Sequence, residues 1–153
     1  MIHGVGTDLI RIERLSLAWK RHGDRLVAKV LHPVERKQFA RVSSTKQAAF
    51  LAKSFATKEA FGKALGTGVR GFGLNEVGIE RVKLGRPVLR FSIALEKKLR
   101  KLGVAGAHLS ISDEGGFAFA FVVLERAATS PAGSGQRSAS GSPARSAARR
   151  RPS

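Results

Sequence analysis

Apolar and polar residues follow two different periods along this chain, and the switches between them mark its elements. Residues 2 to 8 are short, apolar and glycine-containing, which predicts a strand. From about residue 10 to 21 the apolar positions Ile12, Leu15 and Trp19 predict a helix, with Arg11, Arg14 and Arg21 off the stripe and Lys20 nearby. Asp8 stands at the junction, where an acid can cap the helix that follows. Gly23-Asp24 breaks the pattern ahead of Arg25. Pro33 opens another helix, reaching about Val42, because proline suits a first helical position.

Ser44 is the predicted N-cap of a long helix ending at Leu65, with Phe50, Leu51, Phe55 and Phe61 as its apolar bulk. Gly62 inside it costs about 1 kcal/mol relative to alanine; close packing, ligand approach or plain tolerance would each account for it. Residues 66 to 75 hold four glycines and read as loop. Two strands, 76 to 83 and 87 to 92, are joined at Leu84-Gly85-Arg86, and a basic amphipathic helix over 93 to 102 ends at Gly103. A hairpin of strands 107 to 112 and 117 to 124 turns around Asp113-Glu114-Gly115-Gly116. In its first strand His108, Ser110 and Ser112 alternate with Leu109 and Ile111, so one face is polar.

The end of the long helix concentrates the candidate chemistry. Phe55, Glu59 and Lys63 are spaced four apart and stack on one helical face. Gly66 falls where a C-cap needs a left-handed backbone. Thr67 and Gly68 keep side-chain bulk low, so a ligand can approach the backbone. A carboxylate, an ammonium and a low-bulk turn suit a metal-bound phosphate ester. The plainer reading is a Glu59–Lys63 surface pair on a capped helix, worth a few tenths of a kcal/mol.

Composition narrows the classes. With 153 residues the chain is long enough for one domain with a sizeable core. It has no cysteine, so disulfides, thiolate metal sites and cysteine nucleophiles are excluded. No apolar run approaches the ~20 residues of a membrane span, and Met1 to Val5 shows no secretory pattern, so a cytoplasmic location is expected. Net charge is +17. After Arg126 come five arginines and no acids among Ser, Ala, Gly and Pro. Residues 127 to 153 therefore read as a disordered basic tail behind a domain of residues 1 to 126. Without them the charge is still +12, a field that favours an acidic partner.

Three segments together resemble holo-acyl-carrier-protein synthase, the small bacterial 4'-phosphopantetheinyl transferase. They are Gly4-Val5-Gly6-Thr7-Asp8-Leu9-Ile10, the stretch from Phe55 to Gly68, and His108-Leu109-Ser110-Ile111-Ser112. The resemblance covers about residues 1 to 126 and implies an α+β fold, an antiparallel sheet packed against a long helix. It implies that a serine of an apo acyl carrier protein attacks coenzyme A, with Mg²⁺ on the pyrophosphate, and that 3',5'-ADP leaves; such transfer serves fatty acid biosynthesis. Asp8 and Glu59 match the metal ligands, and Lys63 the lysine that neutralises phosphate charge. The serine proton needs a base, for which Asp8 acting through a metal-bound water is the favoured candidate and Glu59 the other. The resemblance further implies that the backbone of Gly66, Thr67 and Gly68 lies against the nucleotide and that His108 approaches the 3'-phosphate. Arg14, Arg21 and Arg25 are the residues expected to meet the acidic helix of the carrier, with Arg11 a weaker candidate. The family forms homotrimers with sites between subunits. Relatives often carry an arginine at Ser54, for which Lys53 is a substitute here. Asp113 stands where some relatives have a second histidine and is given no role.

Two other readings fit parts of the pattern. A basic nucleic-acid-binding module explains the charge equally well, but no nucleic-acid motif is found and two acids in a phosphate site would need a metal. A catalytically dead carrier-protein binder is at odds with the presence of Asp8, Glu59 and Lys63.

Overall fold

The computed structural model describes residues 1–128. The chain runs β1 (Ile2–Arg11), α1 (Ile12–His22), α2 (Asp24–Val30), α3 (Pro33–Phe39), α4 (Ser44–Leu65), β2 (Val77–Arg81), β3 (Pro87–Phe91), α5 (Ile93–Lys101), β4 (Val104–Glu114) and β5 (Phe117–Arg126). A three-stranded antiparallel sheet has the order β1-β5-β4, and β2 and β3 form a separate antiparallel pair. The 22-residue helix α4 lies across the inner face of the larger sheet.

That packing follows from small side chains. Ala118, Ala120, Val122 and Leu124 point inward from β5, all fully buried. From α4 come Leu51, Ala52, Ala56, Ala60 and Phe61, also fully buried. β1 approaches so closely that a Cβ at Gly4 would lie 2.0 Å from the Ala64 carbonyl oxygen, and one at Gly6 2.0 Å from that of Ala60. Gly62 is likewise explained by close packing: a Cβ there would lie 2.6 Å from the Gly68 carbonyl carbon. Edge-to-face aromatic pairs extend the core, Trp19 with Phe39 at 5.5 Å and Phe61 with Phe72 at 5.0 Å.

Several boundaries differ from the sequence expectation. β1 continues to Arg11 because Ile10 is buried opposite Ala118, so α1 starts at Ile12, whose N–H donates to Gly116 O at 2.9 Å. Asp8 is therefore inside a strand and caps no helix. The N-cap position of α1 is Arg11, without a side-chain cap bond. α2 was not anticipated as a helix. α3 ends at Phe39, and tighter turn bonds, Arg41 N–H to Gln38 O and Val42 N–H to Phe39 O, continue to Val42. α4 is preceded by Ser43 rather than Ser44, and the Ser43 hydroxyl pairs with Thr45 at 3.3 Å instead of capping. β4 extends past the expected strand at both ends, while β5 starts at Phe117 as expected and runs on to Arg126. The expected tail lies outside the described residues, apart from Ala127 and Ala128.

Candidate active site

Residues far apart in sequence meet at the seam of β1 and α4. Asp8 faces α4, on the same sheet face as Ala120 and Ile111. Lys63 Nζ donates to Asp8 Oδ1 at 3.0 Å and to the Thr7 carbonyl at 2.8 Å. The partner of Lys63 is thus Asp8, not Glu59, four residues back on its own helix. Glu59 is half-buried beside them. Burial pushes its carboxyl up from the usual range, and the charge of Asp8 adds to this; Lys63 and Arg14 pull the other way. The cluster is an open shelf rather than a cavity, with the Lys63 side chain 52% exposed.

The turn after α4 borders this shelf. Gly66 caps the helix with φ 81°, its N–H bonding to Lys63 O at 3.1 Å. Thr67 and Gly66 are exposed, and Gly68, at φ 59°, packs its backbone on Gly62. The backbone of Gly66, Thr67 and Gly68 is therefore open to a ligand on one side and held by α4 on the other.

No group of three or more His, Asp or Glu side chains able to hold a metal occurs among the described residues. Asp8 and Glu59 supply two carboxylates, and their mutual repulsion is the kind a cation relieves. Mg²⁺ fits such a donor set, because it keeps several waters and takes the rest of its oxygens from substrate phosphates.

Other expected site residues lie elsewhere. His108 projects from the outer sheet face, in register with Val123, whereas Asp8 faces inward. Its Nε2 lies 3.0 Å from Glu125 Oε2, and hydrogen bonding to His108 holds the Glu125 carboxyl below the usual range. One chain does not bring His108 to Asp8 and Glu59. Arg14 and Arg21 on α1 and Arg25 on α2 are all exposed. Arg14 also reaches Glu59 electrostatically, so the basic helix adjoins the shelf. Arg11 stacks over Phe117, 5.0 Å from its ring centre. Ser54 is buried, and Lys53 is held by Asp113 at 2.8 Å.

Sequence reasoning missed three features. Gly4 and Gly6 seat β1, and their signal was the alternation of glycines opposite an alanine-rich helix. Asp113, given no role, anchors Lys53. Lys58, next to Glu59, is fully buried against Glu35, which no local pattern indicates.

The site thus places an acid from a strand beside an acid and a lysine from a long helix, within an α+β fold. The family model of the 4'-phosphopantetheinyl transferase superfamily matches residues 4–122. The chain belongs to this superfamily and, within it, to the holo-[acyl-carrier-protein] synthases. It is similar to the holo-[acyl-carrier-protein] synthase of Dechloromonas aromatica, with 45% identity over 128 residues, 83% of this chain and 100% of that protein. Its structure resembles that of the Neisseria meningitidis synthase, with TM-score 0.78, 39% identity, and coverage of 82% of this chain and 100% of the other. It also resembles the Bacillus anthracis synthase in complex with CoA (3',5'-ADP), with TM-score 0.69, 30% identity, and coverage of 83% and 99%. The expected α+β class and the family resemblance both hold.

Proposed function

We propose that this chain transfers the 4'-phosphopantetheine group of coenzyme A to a serine of an apo acyl carrier protein, with Mg²⁺ bound and 3',5'-ADP released. The observation that carries the reading is the meeting of Asp8 from β1 with Glu59 and Lys63 from α4, in a chain of this superfamily. The serine oxygen attacks the phosphorus next to the pantetheine arm. A new O–P bond forms, the bridging P–O bond of the pyrophosphate breaks, and 3',5'-ADP leaves with the bridging oxygen. The serine proton passes to a carboxylate, Asp8 first and Glu59 as the other candidate. Asp8 and Glu59 would hold Mg²⁺, which when bound supplies charge neutralisation at the phosphates. Lys63, exposed and hinged on Asp8, leans onto a phosphate oxygen, and the backbone of Gly66, Thr67 and Gly68 borders the nucleotide. Positioning and charge stabilisation carry most of the catalysis in transfers of this kind.

The acidic helix of the carrier docks on Arg14, Arg21 and Arg25; all three are exposed, and the influence of Arg14 on Glu59 supports that placement. His108 serves the coenzyme from a neighbouring subunit of a homotrimer. Support comes from the outer sheet face, where Val5, Leu9 and Phe119 leave apolar surface exposed around the polar strip of His108. Lys53, tied to Asp113, keeps a cation near the place of the family arginine. No described helix is long and apolar enough to cross a membrane, which suits the proposed setting in the cytoplasm and in fatty acid biosynthesis. The transferase domain is residues 1 to 126, and a protein ending at Ala128 keeps the Ala127 N–H to Gly103 O bond and is expected to stay active. The deciding experiment incubates apo carrier protein with coenzyme A, Mg²⁺ and this protein, and weighs the product. A gain of one phosphopantetheine group that needs both metal and enzyme is expected; an unchanged mass overturns the reading.

A further inference from the structure

On another side of α4 from β1, Lys58 and Glu35 form an ion pair, 2.6 Å apart, with no solvent exposure of either side chain. Lys58 Nζ also donates to the carbonyl of Val30, the last residue of α2. Glu35 Oε2 accepts from the His32 backbone N–H at 2.9 Å, at the entry to α3. One ammonium thus ties α4 to the end of α2 and the start of α3. Burial is the main influence on Lys58 and disfavours its charge; Glu35 opposes it. Glu35 Oε1 finds no hydrogen-bond partner among the described residues, so the desolvation is only partly offset.

Two buried charges are a poor source of stability, since apolar side chains of similar volume often do as well or better. What such a pair does fix is geometry. Lys58 and Glu59 are successive helical residues, so their side chains diverge by about 100°. One points into α2 and α3 while the other lies beside Asp8. Across the seam, Gly4 and Gly6 press β1 onto the carbonyls of Ala64 and Ala60. The turn carrying Glu59 is gripped from both sides.

We propose that the Lys58–Glu35 pair sets the rotation of α4 and thereby positions the Glu59 carboxylate beside Asp8 for the cation. This rests on the reading of Asp8 and Glu59 as cation ligands. Lys58 is a positioning residue: it is fully buried and touches no reacting atom. Supports of metal ligands change affinity by about 10- to 100-fold when removed. Because Lys58 acts through the helix rather than on the carboxylate itself, the low end, about tenfold, is expected.

The test uses the full chain with Mn²⁺ as probe ion in the presence of coenzyme A, free Mn²⁺ being read by electron paramagnetic resonance. Wild type, Glu35→Met/Lys58→Met, Glu35→Gln and Glu59→Gln are compared, with thermal unfolding of each. The double variant removes both charges, so it is expected to unfold cooperatively and still bind coenzyme A. Its Mn²⁺ affinity should fall about tenfold, with the same factor in the Mg²⁺ concentration for half-maximal turnover. Glu35→Gln nearly keeps the shape and should move both in the same direction; it decides the matter if the double variant does not fold. Wild-type Mn²⁺ affinity in the folded double variant, or failing that in Glu35→Gln, overturns the proposal and leaves the pair as packing. Absence of Mn²⁺ binding in wild type, or wild-type binding in Glu59→Gln, instead overturns the cation site itself and the positioning role with it.

Discussion

At Gly6 a single added carbon decides whether β1 can reach α4. Its Cβ would meet backbone at 2.0 Å, and backbone cannot swing aside as a side chain can. Gly6→Ala is expected to cost about 1–3 kcal/mol or more, read as a drop in the unfolding midpoint, and to displace Asp8 two residues on. Gly66 is the contrasting case: a Cβ there meets nothing within 4 Å, and only its φ of 81° resists substitution. Gly66→Ala should cost about 1–2 kcal/mol, with Gly66→Asn milder because asparagine tolerates that backbone. If both glycines prefer asparagine to alanine, the close-approach account of Gly6 is wrong. The site residues separate on a different axis, turnover against Mg²⁺ concentration. Asp8→Asn and Glu59→Gln each remove a carboxylate and should shift the curve to higher Mg²⁺. Lys63→Ala removes the cation proposed to meet the phosphates and also frees Asp8 from its 3.0 Å ion pair. It should lower the plateau without weakening the metal. Three curves overlaying the wild type would return the shelf to an ordinary surface.

At the scale of elements, one carboxylate ties the glycine loop after α4 to Ser92, the N-cap of α5. Glu76 Oε2 accepts from the Gly73 N–H and Oε1 from the Ser92 hydroxyl, each at 2.8 Å. The Gly73 bond first, and Ser92 second, hold the Glu76 carboxyl below the usual range. The folded state therefore binds this proton less tightly than the unfolded chain. The resulting stability is present above the ordinary carboxylate range and is lost as pH falls through the lower folded value. Glu76→Gln should destabilise by about 1 kcal/mol at neutral pH, and the gap from wild type should close on acidification. A gap that persists unchanged to the acid limb would place the effect in packing rather than charge.

For the whole molecule, the opposed faces of the larger sheet set the problem. The inner face is sealed by α4, while the outer face carries Val5, Leu9 and Phe119 in the open with His108. If a neighbouring copy covers this face, a charge placed in its middle should separate the copies without touching the inner core. Leu9→Lys is expected to lower the mass seen by analytical ultracentrifugation to that of one chain and to abolish transfer. Asp8 and Glu59 remain in place in that variant, so loss of activity in a folded monomer would reflect a site shared between chains. A Leu9→Lys protein that is monomeric and fully active would show that one chain suffices.

Local patterns determined much of this protein. The long helix up to Leu65, its glycine cap, the two hairpins and the residue types at Asp8, Glu59 and Lys63 were legible because periodicity and turn chemistry are properties of neighbours in sequence. α2 was not, since seven residues give barely two turns of pattern. The end of β1 was displaced because a distant partner decided it, Ala118 holding Ile10 in the sheet, whereas the cap of α4 moved by one residue on a local contact, the Ser43 hydroxyl turning to Thr45. Only the tertiary structure showed that Lys63 pairs with Asp8, that Lys53 pairs with Asp113, and that Lys58 is buried while Lys63 on the same helix is exposed. A charged residue carries no local mark of burial. Its fate depends on whether a countercharge 23 or 55 residues away folds back onto it, and that is settled only when the elements pack.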